Sequence, residues 1–169
     1  MRIFIALYLK DDALDKLRER QTTLSKRMRA KFTDTDQLHL TLAFFPDIDD
    51  AQINTLKERC HQMTIPSQLF TDTVEMFGKR KDIVSLKINE TKELSELAQQ
   101  CRGVSFHHAK NPFTPHITLA RRAKPFYQDF LNDLNLPPTL NVDHLALVHS
   151  TLTSDGAIHN KIWMKKING

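Results

Sequence analysis

The order of apolar segments along the 169 residues predicts an α+β fold with largely antiparallel sheet, arranged as two similar lobes around one cleft. Three observations lead there. Strand-like and helix-like runs are interleaved, and at least two strand pairs are joined by short turns. One four-residue pattern also occurs twice, as His39-Leu40-Thr41-Leu42 and as His116-Ile117-Thr118-Leu119. A single domain spanning residues 1–169 is expected, with one copy of the pattern in each lobe.

The segment Arg2 to Leu9 alternates and is rich in Ile, Phe and Tyr, so it reads as a strand. Asp11-Asp12 then cap a helix whose apolar marks are Leu14, Leu17, Leu24 and Met28. A polar loop leads to the first H-x-T-x strand, which Pro46 stops. Asp49-Asp50 open a second helix through about Met63. Leu69 to Met76 and Asp82 to Ile88 form a hairpin about Gly78-Lys79-Arg80-Lys81, and a third helix runs from Thr91 to Cys101. Gly103 begins a loop that ends in Asn111-Pro112-Phe113-Thr114-Pro115, where two prolines stiffen the approach to His116. A short helix follows Pro125 to Leu134, Pro137-Pro138 break the chain, and Leu140 to Thr151 pairs with Ile158 to Ile167 about Ser154-Asp155-Gly156.

Composition excludes several classes. The longest apolar runs, Ile3 to Leu9 and Leu38 to Phe45, are too short to cross a bilayer, and no signal-peptide pattern opens the chain, so a cytoplasmic protein is expected. Cys60 and Cys101 belong to no C-x-x-C motif and read as reduced helix cysteines. His107-His108 lack the carboxylate or Cys that would complete a metal site and read as loop residues near the cleft mouth. The net charge is only +4, but cations bunch at Arg18, Arg20, Lys26, Arg27, Arg29 and Lys31, at Lys79-Arg80-Lys81, and at Arg121-Arg122 with Lys124. Such clusters suit a phosphate-bearing partner, although solvated helix faces carry similar charge.

On a strand, each H-x-T-x pattern sends its His and Thr to one face and its two aliphatic residues to the other. Imidazole exchanges a proton near neutral pH, and a hydroxyl can hydrogen-bond an anion. A single copy is ordinarily a half-exposed polar stripe. Two copies, each inside a strand-like run, can flank one reacting atom. His61, His144, His149 and His159 have no repeated context and are read as surface or structural histidines.

The paired motifs, the opening Arg-Ile-Phe-Ile-Ala-Leu run, Pro-Phe-Thr-Pro-His-Ile-Thr-Leu-Ala-Arg, and the last segment from Val148 to Ile162 together resemble the 2H phosphoesterases, within them the RNA 2′,3′-cyclic phosphodiesterases of the 2′-5′ RNA ligase family. The resemblance implies a bilobal, pseudo-twofold fold. It implies metal-independent hydrolysis of RNA 2′,3′-cyclic phosphate ends to 2′-phosphomonoesters, with His39 as proton donor, His116 as proton acceptor, and Thr41 and Thr118 on the phosphate. It also implies reverse 2′-5′ ligation, which microscopic reversibility permits at the same two histidines. Phe44 and Phe113 are candidates for base stacking and Arg121 for a phosphate contact, even though strict alternation points Arg121 away from His116. Three departures stand out: Phe45-Pro46 where relatives often carry Gly, Ser85 where many have an aromatic, and His149 and His159 where Glu or Tyr is common.

No cofactor is expected; the partner is RNA, with a nucleotide in the cleft as a further occupant, and the chain is expected to act as a monomer. The alternatives are a non-catalytic RNA- or nucleotide-binding module, and a phosphodiesterase for a small cyclic phosphate or a 2′,5′-linked oligonucleotide. Two intact His/Thr pairs weigh against the binding module, because binding alone needs neither an acid nor a base.

Overall fold

The computed structural model describes residues 1–108, 111–124 and 128–167. Its elements are β1 (Ile3–Leu9), α1 (Asp11–Ser25), β2 (Lys31–Phe32), a 3-10 turn (Thr35–Gln37), β3 (His39–Phe45), α2 (Asp50–His61), β4 (Gln68–Phe77), β5 (Ile83–Ile88), α3 (Lys92–Arg102), β6 (His116–Arg121), α4 (Gln128–Asn132), β7 (Thr139–Thr153) and β8 (Gly156–Lys166). All pairings are antiparallel.

Two four-stranded halves emerge from the pairing. One runs β3-β1-β7-β8 and the other β2-β6-β5-β4. They join where β3 meets β6, Leu40 opposite Ile117, and where β4 meets β7, Gln68 opposite Asn141 through Phe70 opposite Thr139. The strands therefore close into a ring. The long β7 makes this possible, since its first residues hold β4 while the rest hold β1 on one edge and β8 on the other.

β1 shows how the ring is filled. Ile3, Ile5, Leu7 and Leu9 enter the main core with Leu40, Leu42, Ile117, Leu119, Leu145 and Leu147. Phe4, Ala6 and Tyr8 face the opposite way and form a smaller cluster with Ala146 and Val148, against which Phe44 packs. The helices cover the main core. α1 buries Ala13, Leu17, Gln21 and Leu24, one helical stripe, and α3 buries Leu94, Leu97, Ala98 and Cys101. α2 starts with a reciprocal capping box between Asp49 and Gln52, and Thr91 caps α3 through the Leu94 amide. Both cysteines are free and buried.

The structure differs from the sequence expectation at several ends. Lys10, not an aspartate, is the N-cap of α1. Asp11 and Asp12 lie in its first turn, where their charge still favours the helix dipole. Met28 is buried beyond the end of that helix. The loop before β3 holds the two-residue β2, too short to show periodicity, which pairs with the far end of β6. The expected helix after Pro125 falls partly outside the described residues, and α4 occupies Gln128–Asn132. No described helix is long and apolar enough to cross a membrane.

Candidate active site

The two motifs lie on adjacent strands, and the residues that meet, Leu40 and Ile117, hold the same position within their patterns. Because the strands are antiparallel about that pair, His39 lies toward Thr118 and Thr41 toward His116. The burial pattern agrees: His39, Thr41, His116 and Thr118 are half-buried, while Leu40, Leu42, Ile117 and Leu119 are fully buried.

Each histidine is oriented in the same way. His39 Nδ1 lies 2.6 Å from the carbonyl of Gln37, and His116 Nδ1 lies 2.7 Å from the carbonyl of Thr114. A carbonyl only accepts, so Nδ1 carries the hydrogen in both rings. Nε2 of the neutral ring is left free to accept a proton. Small residues stand beside both threonines: Ala6 is opposite Thr41 and Ser85 opposite Thr118. Ser85 is buried and its hydroxyl has no partner among the described residues.

Alternation breaks identically in the two strands. The β1–β3 register shifts so that Leu42 is an extra residue between Thr41 and Ala43, and the β5–β6 register shifts so that Leu119 is one between Thr118 and Ala120. The bulge residue and the one after it are both buried, Leu42 with Ala43 and Leu119 with Ala120, and the next, Phe44 or Arg121, returns to the histidine face. Arg121 is thereby brought toward the site rather than away from it, and its charge acts on His39. A side chain from a helix captures each bulge carbonyl: Arg102 Nε donates to Leu42 O at 3.1 Å, and the buried Gln21 Nε2 donates to Leu119 O at 3.0 Å.

Of the expected base-stacking rings, Phe44 lies on the site face, but the Arg2 guanidinium covers it at 4.4 Å. Phe113 packs against the main core under Arg102, at 5.4 Å. His107 is not at a cleft mouth: its ring stands edge-on to the core residue Phe45 at 5.3 Å. No group of three or more His, Cys, Asp or Glu side chains among the described residues could hold a metal ion.

Two residues at the site were not assigned to it from the sequence: His159, read there as a surface or structural histidine and as a departure from relatives, and Phe77, which was not singled out. His159 of β8 lies edge-on to His39, ring centroids 5.9 Å apart, and to Phe4 at 4.9 Å. Its register partner Ser150 sits in the β7 row beside the amino end of β1, a placement that appears only once three strands are assembled. Phe77 stacks on His116 at 5.5 Å with 45% of its surface exposed. Around His39 the packing is tighter, with Phe4 stacked at 5.1 Å and Tyr8 tilted at 5.5 Å.

That packing has an electrostatic result. Burial lowers the His39 pKa to about 4, the Gln37 hydrogen bond opposes the shift, and the nearby His159, His116 and Arg121 reinforce it. Above pH 6.5 the ring is neutral in folded and unfolded chains alike. Between pH 6.5 and 4 the unfolded chain binds a proton that the folded chain refuses, so stability falls as pH falls. Burial shifts His144 and His159 the same way, so the His39 share must be isolated by difference. The expected result is that the unfolding free energy of the wild type, relative to His39→Gln, decreases between about pH 7 and pH 4.5. Urea titrations at the two pH values check it, and a pH-independent difference refutes it.

Two surface concavities of about 430 and 270 Å³ are lined by Met1, Asp47 to Asp50 and Gln52, and by Glu19, Arg20, Thr23, Phe130 and Asp133 to Asn135. Neither touches a motif residue. Convergence of proton-transfer groups, not cavity size, marks the site.

Comparison with known proteins finds relatives along nearly the whole chain. The Thermotoga maritima RNA 2′,3′-cyclic phosphodiesterase is 29% identical over 100% of this chain and 97% of its own length. The Archaeoglobus fulgidus protein of the same name is 24% identical, covering 96% and 98%. Among solved structures, the TT0787 protein of Thermus thermophilus superposes with a TM-score of 0.77 at 25% identity, over 98% of this chain and 97% of that one. Escherichia coli LigT in its apo form also gives 0.77, at 22% identity over 98% and 96%, and LigT has been solved with 3′-AMP and with ATP. A family model described as the 2′-5′ RNA ligase superfamily matches residues 10–153, and the chain belongs to that superfamily.

Proposed function

We propose that this protein hydrolyses RNA 2′,3′-cyclic phosphate ends to 2′-phosphomonoesters without a metal ion. The observation that carries the reading is the pair of Nδ1-anchored histidines on antiparallel neighbours, each with its threonine on the same face. The names of the relatives agree with it.

Opening a cyclic phosphodiester needs a nucleophile in line with the leaving oxygen, hence one proton acceptor and one proton donor on opposite sides of phosphorus. His116 Nε2 takes the proton of the attacking water. His39 Nε2, protonated, gives its proton to the departing 3′ oxygen. Thr41 and Thr118 hydrogen-bond the non-bridging oxygens as charge grows there, and Arg121 adds a cation. This allocation of acid and base follows the family resemblance.

The low pKa of His39 bears on its role. An imidazole that is neutral in the free protein cannot arrive as an acid, but a bound phosphate places negative charge beside it and raises its proton affinity. Substrate itself thus arms the donor. With a 5′-terminal RNA hydroxyl in place of water, the same two groups open the ring in the same direction: His116 takes the hydroxyl proton, the P–O5′ bond forms, the P–O3′ bond breaks with a proton from His39, and a 2′-5′ phosphodiester results. One chain carries both halves of the site, so a monomer suffices, and an RNA substrate fits a cytoplasmic setting.

The test is incubation of a short RNA bearing a 2′,3′-cyclic phosphate with the protein in EDTA, the product being identified by phosphorus NMR. Conversion to the 2′-monoester is expected. A 3′-monoester, or dependence on added metal, would overturn the proposed chemistry, and no conversion would leave a nucleotide-binding module.

A further inference from the structure

The last hairpin carries into the site a third histidine that the hydrolytic scheme does not use. At its turn, Lys31 Nζ of β2 donates to the Asp155 carbonyl at 3.4 Å, and Lys31 is the register partner of Arg121. The tip of the β7–β8 hairpin therefore reaches from its own half of the ring of strands to the far end of β6 in the other half. His159 follows that turn on β8. Its ring meets Phe4 edge-on at 4.9 Å and His39 at 5.9 Å, and the charge of Arg121 acts on it from the opposite half.

His159 differs from the two motif histidines in how it is held. His39 and His116 each have Nδ1 fixed on a carbonyl, whereas among the described residues no hydrogen bond engages either ring nitrogen of His159, and neither nitrogen is sealed from water. Such a ring can present either nitrogen to a ligand. The titratable and charged groups that face it are all basic: Arg2 ahead of β1, His39 of β3 and Arg121 of β6. Its other neighbours, Phe4 of β1 and Ser150 of β7, carry no charge. No carboxylate is among the charges that act on His39 or His159. Burial and the two guanidinium groups hold the His159 pKa below the ordinary imidazole value, so the ring of the free protein is neutral near pH 7. An entering phosphate reverses the local field, and the imidazole then gains a proton where negative charge has arrived.

We infer that His159 is an anion-binding residue of this site, an imidazole that takes a proton as a phosphate enters and holds that phosphate together with Arg121. That the phosphate belongs to a nucleotide rests on the cyclic-phosphodiesterase reading. Binding, rather than proton transfer in the displacement, suits a ring whose tautomer no carbonyl sets, in contrast to His39 and His116. The sign of the pH dependence follows. Protonated His159 favours the anion, so affinity increases as pH falls from above the pKa of the occupied state to below that of the free state, and gains nothing further beyond.

Sulfate is the probe, because its charge does not change across the neutral range. The imidazole Hε1 signal of His159, identified by its loss in His159→Phe, is followed against pH by NMR in the wild type with and without saturating sulfate, ionic strength being held with chloride. The pKa of the ring is expected to rise with sulfate. His159→Phe keeps an aromatic edge against Phe4 and His39 but has no nitrogen, so its sulfate affinity should improve between alkaline and acid pH by about 10-fold less than that of the wild type, the scale of one charge-assisted hydrogen bond. Its KM for adenosine 2′,3′-cyclic phosphate should likewise exceed the wild-type value more at acid than at alkaline pH. A His159 pKa that sulfate leaves in place, or a His159→Phe protein whose affinity follows pH as the wild type's does, overturns the inference and leaves a ring that only packs. If the wild type turns over no cyclic phosphate, the nucleotide reading falls instead, and the sulfate titration decides the role of His159 without it.

Discussion

His39→Ala and His116→Ala are each expected to lower kcat on a 2′,3′-cyclic phosphate by about 10²- to 10⁴-fold, the usual contribution of a positioned acid or base. The double variant should be little worse than the poorer single one, because an acid and a base serving one displacement work as a unit. Structure sets the controls. His116 carries Phe77 on one face, whereas His39 is enclosed by Phe4, Tyr8 and His159, so removing its ring also leaves a gap. His39→Gln keeps most of the volume without the titrating group and separates lost chemistry from lost packing. Single-turnover rates with circular dichroism of each variant provide the check. Either alanine variant turning over within about threefold of the wild type, far short of the loss expected of an acid or base, would remove its histidine from the mechanism.

The parts of this site legible in the sequence are those that depend on local alternation. His39 with Thr41, and His116 with Thr118, share a face because period two holds over four residues. It fails at the fifth. Phe44 and Arg121 return to the site through bulges whose carbonyls are held by Arg102 and Gln21, side chains remote in sequence from the strands they reach. Nothing in His-Leu-Thr-Leu or His-Ile-Thr-Leu announces a bulge. His159 and Phe77 were out of reach for a related reason: each meets a motif histidine through tertiary placement, His159 from the last strand and Phe77 from the end of a hairpin. The helices were legible where caps and apolar spacing agree, as at Asp49 and Thr91, and less so at Lys10, which caps α1 without a side-chain bond. The two-residue β2 offers no pattern to read, since it exists because β6 needs a partner at Ala120 and Arg121.

Leu40→Ala is expected to cost about 2–5 kcal/mol, a large share of the roughly 5–15 kcal/mol typical of a whole domain. Leu40 is fully buried and sits where the halves touch, facing Ile117 across the only register pair described between β3 and β6. Ile117→Ala should cost a similar amount. The two losses should not add, since neighbours sharing one packing site couple by about 0.5–3 kcal/mol. Together these variants test whether the halves form one domain. Trp163, the sole tryptophan, lies on β8 in the half that contains Leu40, while Ile117 belongs to the other half. If the ring of strands unfolds as a unit, Ile117→Ala shifts the Trp163 fluorescence transition as far as it shifts the circular dichroism of the whole chain, with the denaturant slope unchanged. If the halves unfold separately, the Trp163 transition stays where it is in the wild type. We expect coincident shifts: β7 is continuous from its contact with β4 to its contacts with β1 and β8, so neither half can release it without disturbing the other.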